Sequence, residues 1–252
     1  MTSVLADPMA EARRILKVAE ATAVPLRAVG GIAVALIAPS IDRLDPPRIY
    51  HDIDLVAPSG TAAVSRLLVD LGYEAARGFN TLNGSERLLF HDTDGRRIDV
   101  FIDTLRMCHA LPFGERIGLQ PMTLPSADLL LSKLQIVELT ARDAQDVAAL
   151  LADHPLTESD ADGIDLRRIR QVCGNDWGWW RTVDGNLGLL ADRWVAARPA
   201  AELDASQVLG TALARANELR QALAALPKSW RWKMRALIGP RIRWYDLPEE
   251  VR

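Results

Sequence analysis

The sequence predicts an α/β (α+β) chain: a small mixed β-sheet backed by helices, followed by a helical C-terminal part. Three observations carry that reading. Gly30-Gly31 opens an apolar run, GIAVALIA, directly after the strand-like PLRAV. HDIDLV at 51–56 and RRIDVFID at 96–103 alternate polar with apolar residues, the period of a strand with one buried face. After Pro125 the apolar spacing becomes that of helices almost to the end.

The elements follow in order. Residues 8–22 read as an amphipathic helix, and PLRAVGG as a short strand turning into the glycine-opened helix, which stops near Pro39. PSIDRLDPPRIY, rich in proline, reads as a loop. DIDLVAP is a strand, TAAVSRLLVDLG a helix ending at Gly72, and YEAAR, ERLLFHD and RRIDVFID are further strands. Thr93-Asp94-Gly95 makes the last two a hairpin. Pro125 and Ser126 open a helix through about Leu139, and another follows through about Leu151. Segments 158–173, 180–197 and 202–225 have bundle spacing, divided by Gly174, Gly185 and Pro199. The expected division is 1–120 for the sheet-bearing domain and 121–252 for a helical domain with a basic, tryptophan-rich tail.

Composition narrows the partners. The 252 residues carry 30 Lys plus Arg against 33 Asp plus Glu, a formal charge of −3, so a nucleic acid would have to be met by a local patch. Cys108 and Cys173 lie far apart in no paired spacing, which fits a reducing, cytoplasmic setting. No apolar run has the length of a membrane span, and MTSVLADPMAEARR lacks the layout of a signal peptide, so no membrane partner is expected.

Strand alternation places Asp52 and Asp54 on one face, with Ile53 and Leu55 on the other. The same count puts Arg97, Asp99, Phe101 and Asp103 together and turns Ile98, Val100 and Ile102 toward a core. Three crowded acids repel unless compensated, and Mg²⁺, which takes a few carboxylates plus substrate phosphates, is the natural compensation. Asp99 and Asp103 compete for the third place, being about 13 Å apart at strand rise. Asp99, flanked by Ile98 and Val100, is the preferred one. Gly30 and Gly31 satisfy the needs of a tight strand-to-helix turn and also let phosphate approach the free N–H groups of a helix start.

Gly-Gly, then apolar-Asp-x-Asp-apolar, then a later acid-bearing strand resembles the DNA polymerase β-like nucleotidyltransferase superfamily. LPSADLLLSKLQIVELTARDAQDVAALL resembles the Lys-then-Arg-Asp-x-x-Asp segment of the nucleotidyltransferase toxins associated with abortive infection type IV, with Lys133, Arg142, Asp143 and Asp146 at the matching positions. The resemblance spans residues 24–153 in motif order. The chain departs from it in a longer Gly31-to-Asp52 spacing and in Tyr50, where relatives carry a small hydroxyl residue.

The resemblance implies a metal-dependent nucleotidyltransferase. Asp52, Asp54 and Asp99 would be catalytic and would hold two Mg²⁺ ions. Gly30, Gly31 and Lys133 would bind a nucleoside triphosphate such as ATP, with Arg142, Asp143 and Asp146 behind them: the two acids, three apart on one helical face, would orient Lys133 or Arg142, or else stay solvated. The acceptor would be an RNA end, a protein hydroxyl or a small molecule, and a toxin-like member would have an antitoxin partner. The competing readings are a catalytically inactive module on the same fold and an RNA-binding protein.

His51, His91, His109 and His154 show no metal-ligand spacing with one another. All seven tryptophans lie after residue 176, and KSWRWKMRALIGPRIRWY at 228–245 mixes six cations with Trp230, Trp232 and Trp244 and no acid. That stretch reads as a nucleic-acid contact, as a terminal helix packing its tryptophans, or as an amphipathic helix on a membrane surface.

Overall fold

A computed structural model describes residues 4–60 and 62–247. The chain forms two compact units, Met1–Leu36 with Ile49–Leu105 and Leu111–Pro125, and Ile37–Arg48 with Arg106–Ala110 and Ser126–Arg252. The expected mixed α/β class with a helical C-terminal part is what the chain adopts.

In the first unit, α1 (Pro8–Ala21) starts at Asp7, whose side chain accepts from the Ala10 N–H, with proline at the first helical position. Its buried stripe is Ala12, Ile15, Leu16 and Ala19. Then come β1 (Arg27–Val29), α2 (Gly30–Ile37), β2 (Ile53–Ala57), α3 (Ala62–Asp70), β3 (Glu74–Ala75), α4 (Arg77–Asn83), β4 (Arg87–His91) and β5 (Arg97–Ile102). A short hairpin follows, β6 (Thr104–Arg106) and β7 (Ala110–Pro112). The main sheet has the order β1-β2-β5-β4-β3, with β2 and β5 parallel and the other neighbours antiparallel. The β1 edge is covered, since the Ala28 N–H donates to the Met122 carbonyl and the Leu124 N–H to the Ala28 carbonyl. Ile53, Leu55, Ile98 and Val100 have no exposure, as the alternation required.

Two local expectations change. The 73–77 run keeps only two strand residues before α4 begins. β5 stops at Ile102 because Asp103 takes a left-handed φ of 56°, which ends a strand.

In the second unit, α5 (Ser126–Leu134) ends five residues earlier than expected. The Asn186 side chain donates to the Leu134 and Ile136 carbonyls, satisfying groups that a helix end leaves open. Thr140 and Asp143 then form a reciprocal cap that starts α6 (Ala141–Asp153). β8 (Leu156–Thr157) pairs in parallel with β9 (Ile164–Asp165), which stands inside the helix expected over 158–173, and α7 (Leu166–Asn175) starts only where Asp165 caps it. α8 (Trp177–Ala197), α9 (Leu203–Ala224) and α10 (Trp230–Ile238) complete the unit. Gly174 stands one residue before the end of α7 and Pro199 separates α8 from α9, as expected, whereas Gly185 lies inside α8 and divides nothing.

The sequence boundary at 120/121 compares with 125/126 in the structure, and residues 37–48 and 106–110 count with the second unit. Hydrogen bonds give the reason. The Ser40 N–H and hydroxyl donate to Asp153, the Gln145 amide donates to the Pro46 carbonyl, and the His109 N–H donates to Gln135. No helix among the described residues is long and apolar enough to cross a membrane. Both cysteines are free and buried, and burial pushes the Cys173 thiol up to about 12.

Candidate functional site

The first cluster lies on the face of β2 and β5. Parallel pairing sets Asp54 directly opposite Asp99, so the two carboxylates leave adjacent strands on the same side. Asp52 is exposed and precedes β2 by one residue, while Asp54 is half-buried. Gly30 makes room for Asp54. A Cβ at residue 30 would stand 2.3 Å from Asp54 Oδ2, and the φ of 75° there already disfavours any side chain. The Asp54 carboxylate therefore rests against the first residue of α2, where the helix dipole favours negative charge. Gly31 is the next residue of that helix and is half-buried.

Asp99 is wholly buried between two arginines. Arg87 Nε donates to Oδ1 at 2.8 Å, and the Arg87 guanidinium lies over the Phe101 ring at 5.1 Å. Arg97 Nε stands 2.7 Å from Oδ2, yet its N–H is not aimed at that oxygen. Asp99 Oδ2 thus has a cationic neighbour but accepts no hydrogen bond, an uncommon state for a buried oxygen. The arginine side chains are 22% and 38% exposed, so both can move toward solvent.

Asp103 is engaged elsewhere. Its Oδ1 accepts from the Ser59 N–H, its N–H donates to the Ala57 carbonyl, and its carbonyl accepts from the Phe113 N–H. The competition for the place beside Asp54 is decided for Asp99 by register.

For a divalent cation the donor chemistry is right and the closure partial. Asp54 lies in β2, Asp52 lies just before it, and Asp99 Oδ2 accepts no hydrogen bond. Among the described residues, however, no group of three or more His, Cys, Asp or Glu is arranged to hold a metal ion. A cation held by one or two carboxylates would complete its shell with phosphate oxygens and water, which is the habit of Mg²⁺.

The second cluster belongs to the other unit. Asp146 has no exposure and lies between Arg48, which donates from Nε and Nη2 at 3.1 Å each, and Lys133 Nζ at 2.8 Å. Lys133 also reaches Asp143 at 3.3 Å. Burial alone would raise the Asp143 carboxyl, but the Lys133 charge and the Thr140 hydrogen bonds outweigh it and hold the group below its usual range. The expected pairing of Asp143 and Asp146 with Lys133 is present, with Arg48 as its other cation, whereas Arg142 is exposed at the start of α6.

Two contributors escaped the sequence reading. Arg87 becomes a partner of Asp99 only through the β4–β5 register, in which Leu89 faces Asp99 and Arg87 sits two residues along the same face. The Thr-Asp-Gly hairpin was the available signal, since that turn sets His91 opposite Arg97. Arg48 gave no local signal, because its partner Asp146 lies 98 residues further along the chain. No family model matches this chain, and no curated protein matches it.

His109 is buried, with Nε2 2.9 Å from the Thr182 hydroxyl, and burial pushes its pKa below the ordinary imidazole value. The tail divides its tryptophans. Trp232 meets Trp180 edge to face at 5.2 Å, and the Trp244 indole N–H donates to the Thr182 hydroxyl. Trp230 is 70% exposed.

Proposed function

We propose that the protein transfers a nucleoside monophosphate from a nucleoside triphosphate, ATP among them, to an acceptor hydroxyl on an RNA end, a protein or a small molecule. The observation that supports this reading most is Asp99 Oδ2: buried, in register with Asp54, and accepting no hydrogen bond. A buried carboxylate oxygen without a hydrogen bond is uncommon, and since Asp92 Oδ2 shares that state, it is the register with Asp54 that singles Asp99 out.

In this reading Asp52 and Asp54 would hold Mg²⁺ together with the triphosphate. When bound, the metal supplies charge neutralisation at the attacking and leaving oxygens of an in-line displacement. Gly30 and Gly31 present the start of α2 to the phosphates without a side chain in the way. Arg87 and Arg97 pair with Asp99 in a buried place and are exposed enough to turn toward phosphate oxygens, which would free Asp99 for the acceptor hydroxyl. Lys133, by resemblance, would be a phosphate-binding cation, with Asp143 and Asp146 setting its direction. A toxin-like role with an antitoxin partner, in a reducing cytoplasm, belongs to the same proposal.

A second reading is favoured by one observation. Asp99 is enclosed by two arginines and, among the described residues, joins no metal-binding group of three, as in a nucleotide-binding module that has lost catalysis.

Titration calorimetry with ATP, with Mg²⁺ and then with chelator, separates these readings when combined with transfer of labelled nucleotide to total RNA and small-molecule acceptors. Transfer expects Mg²⁺-dependent binding lost in Asp52→Asn with Asp54→Asn, and labelled acceptor lost in Asp99→Asn while most nucleotide affinity survives. Metal-dependent binding without labelled acceptor selects the inactive module. Affinity indifferent to chelator and to the double variant overturns both.

A further inference from the structure

We propose that α10 and the residues just after it dock the protein on an anionic phospholipid surface, lying in the interface without crossing it. Nothing in the argument depends on the activity proposed above.

α10 begins at Ser229, whose hydroxyl accepts from the Trp232 N–H, and ends at Gly239 with a φ of 61°. No residue of the helix is buried. Its large apolar side chains stand in solvent: Trp230 70%, Met234 56%, Leu237 75% and Ile238 42% exposed, with Ile242 at 61% just beyond. Positions 230, 234, 237 and 238 have the i, i+4, i+7, i+8 spacing that gathers side chains into one arc of a helix. At about 100° per residue, Lys233 falls on one border of that arc and Arg231 on the other. Both are exposed, as are Arg241 and Arg243 beyond the helix, and residues 228–245 contain no acid.

The opposite side fixes this orientation. Trp232 packs edge-on against Trp180, and Lys228 Nζ lies over both rings at 5.4 and 5.6 Å. The Arg235 guanidinium covers Trp177 at 4.6 Å and donates to the Gly239 and Ile242 carbonyls. The apolar arc is therefore held outward, and turning it inward would break these contacts.

Charge and apolar character together select the occupant. A single-stranded RNA would use the cations and Trp230 but would leave Met234, Leu237, Ile238 and Ile242 against a polar polymer. A second copy of the same face would set cationic border against cationic border with no acid to relieve it. An anionic bilayer accepts the aliphatic arc and tryptophan at its boundary and pairs the flanking cations with lipid phosphate.

The test is co-sedimentation of the full chain with vesicles of phosphatidylcholine alone, and of phosphatidylcholine mixed equally with phosphatidylglycerol. Sedimentation with the anionic vesicles and not the neutral ones is expected, weakened by salt. Arg231→Gln with Lys233→Gln should lower vesicle affinity about thirtyfold, from two cations each contributing about fivefold at such a surface. Trp230→Ser with Leu237→Ser, both at exposed positions, should abolish it while circular dichroism stays unchanged. Failure to sediment with anionic vesicles overturns the proposal. So does vesicle binding undiminished by Trp230→Ser with Leu237→Ser, which would make the contact purely electrostatic, as for a nucleic acid. A lipid-free dimer that this double variant dissolves assigns the face to self-association instead.

Discussion

Asp99 in the first unit and Asp146 in the second are both fully buried aspartates held between two cations, and they differ in how far those cations can move. Around Asp146, Arg48 is 7% and Lys133 14% exposed, the arginine binds with two aligned N–H groups, and both carboxylate oxygens are used. Around Asp99, the arginines are two to three times as open and one oxygen is left without a hydrogen bond. A buried carboxylate needs compensation in either place. The first arrangement reads as a clamp that fixes residues 37–48 to α6, and the second as a site whose compensation is exchangeable.

That contrast is broken or sharpened first by truncating one arginine in each cluster. Arg48→Ala leaves the fully buried Asp146 with Lys133 as its cation, so a loss of about 3–5 kcal/mol is expected. Arg87→Ala leaves Asp99 beside the most exposed of the four cations, and about 1–2 kcal/mol is expected because water can reach the vacated place. Urea denaturation measures both, and equal losses would end the distinction.

Gly30→Ala comes next. It adds the backbone strain of a positive φ to a direct clash with Asp54 Oδ2, for a cost of about 1–3 kcal/mol. Gly95→Ala, at φ 81° with nothing within 4 Å, isolates the strain and is expected at about 1 kcal/mol. If Gly30→Ala is no worse than Gly95→Ala in thermal denaturation, Asp54 does not depend on the missing side chain.

The smallest effect concerns pH. Burial lowers the pKa of His109 and His154, both in the second unit, so the folded state prefers them neutral and the unfolded chain binds protons more readily. Their contribution is whole above the ordinary value of 6.5 and is lost as pH falls through it toward the lowered folded values. The expected slope is about 1 kcal/mol per pH unit, and His109→Gln should flatten it. In the first unit, burial would raise the Glu11 carboxyl, but hydrogen bonds from Arg14 and Tyr73 hold it below 4.5, so its share is lost only at lower pH. Urea midpoints from about pH 8 to about pH 5 check the order of these losses.

Much of the fold was legible because its signals are local. The amphipathic helix after Asp7, the Gly30 turn, the alternation in β2 and β5 and the Thr-Asp-Gly hairpin each depend on a few neighbouring residues. The misread stretches failed for a non-local reason. α5 stops at Leu134 because Asn186, some fifty residues on, takes its carbonyls, and nothing near Leu139 announces that. Gly185 looked like a divider, but a glycine in a long helix costs only about 1 kcal/mol, less than the packing of α8 returns.

At the candidate site, the sequence by itself determined which acids share a face, that Asp54 follows a glycine turn, and that Asp143 and Asp146, three residues apart, lie on one side of a helix. Strand and helix periods fix such relations within one element. Only the tertiary structure decided that Asp99 and not Asp103 pairs with Asp54, that Arg87 and Arg97 balance it, that Arg48 and not Arg142 completes the Asp146 cluster, and that Trp232 and Trp244 pack while Trp230 stays in water. Those choices depend on register between strands and on which face of α8 receives the tail. Both are set by long-range hydrogen bonds and packing that no short stretch of sequence encodes.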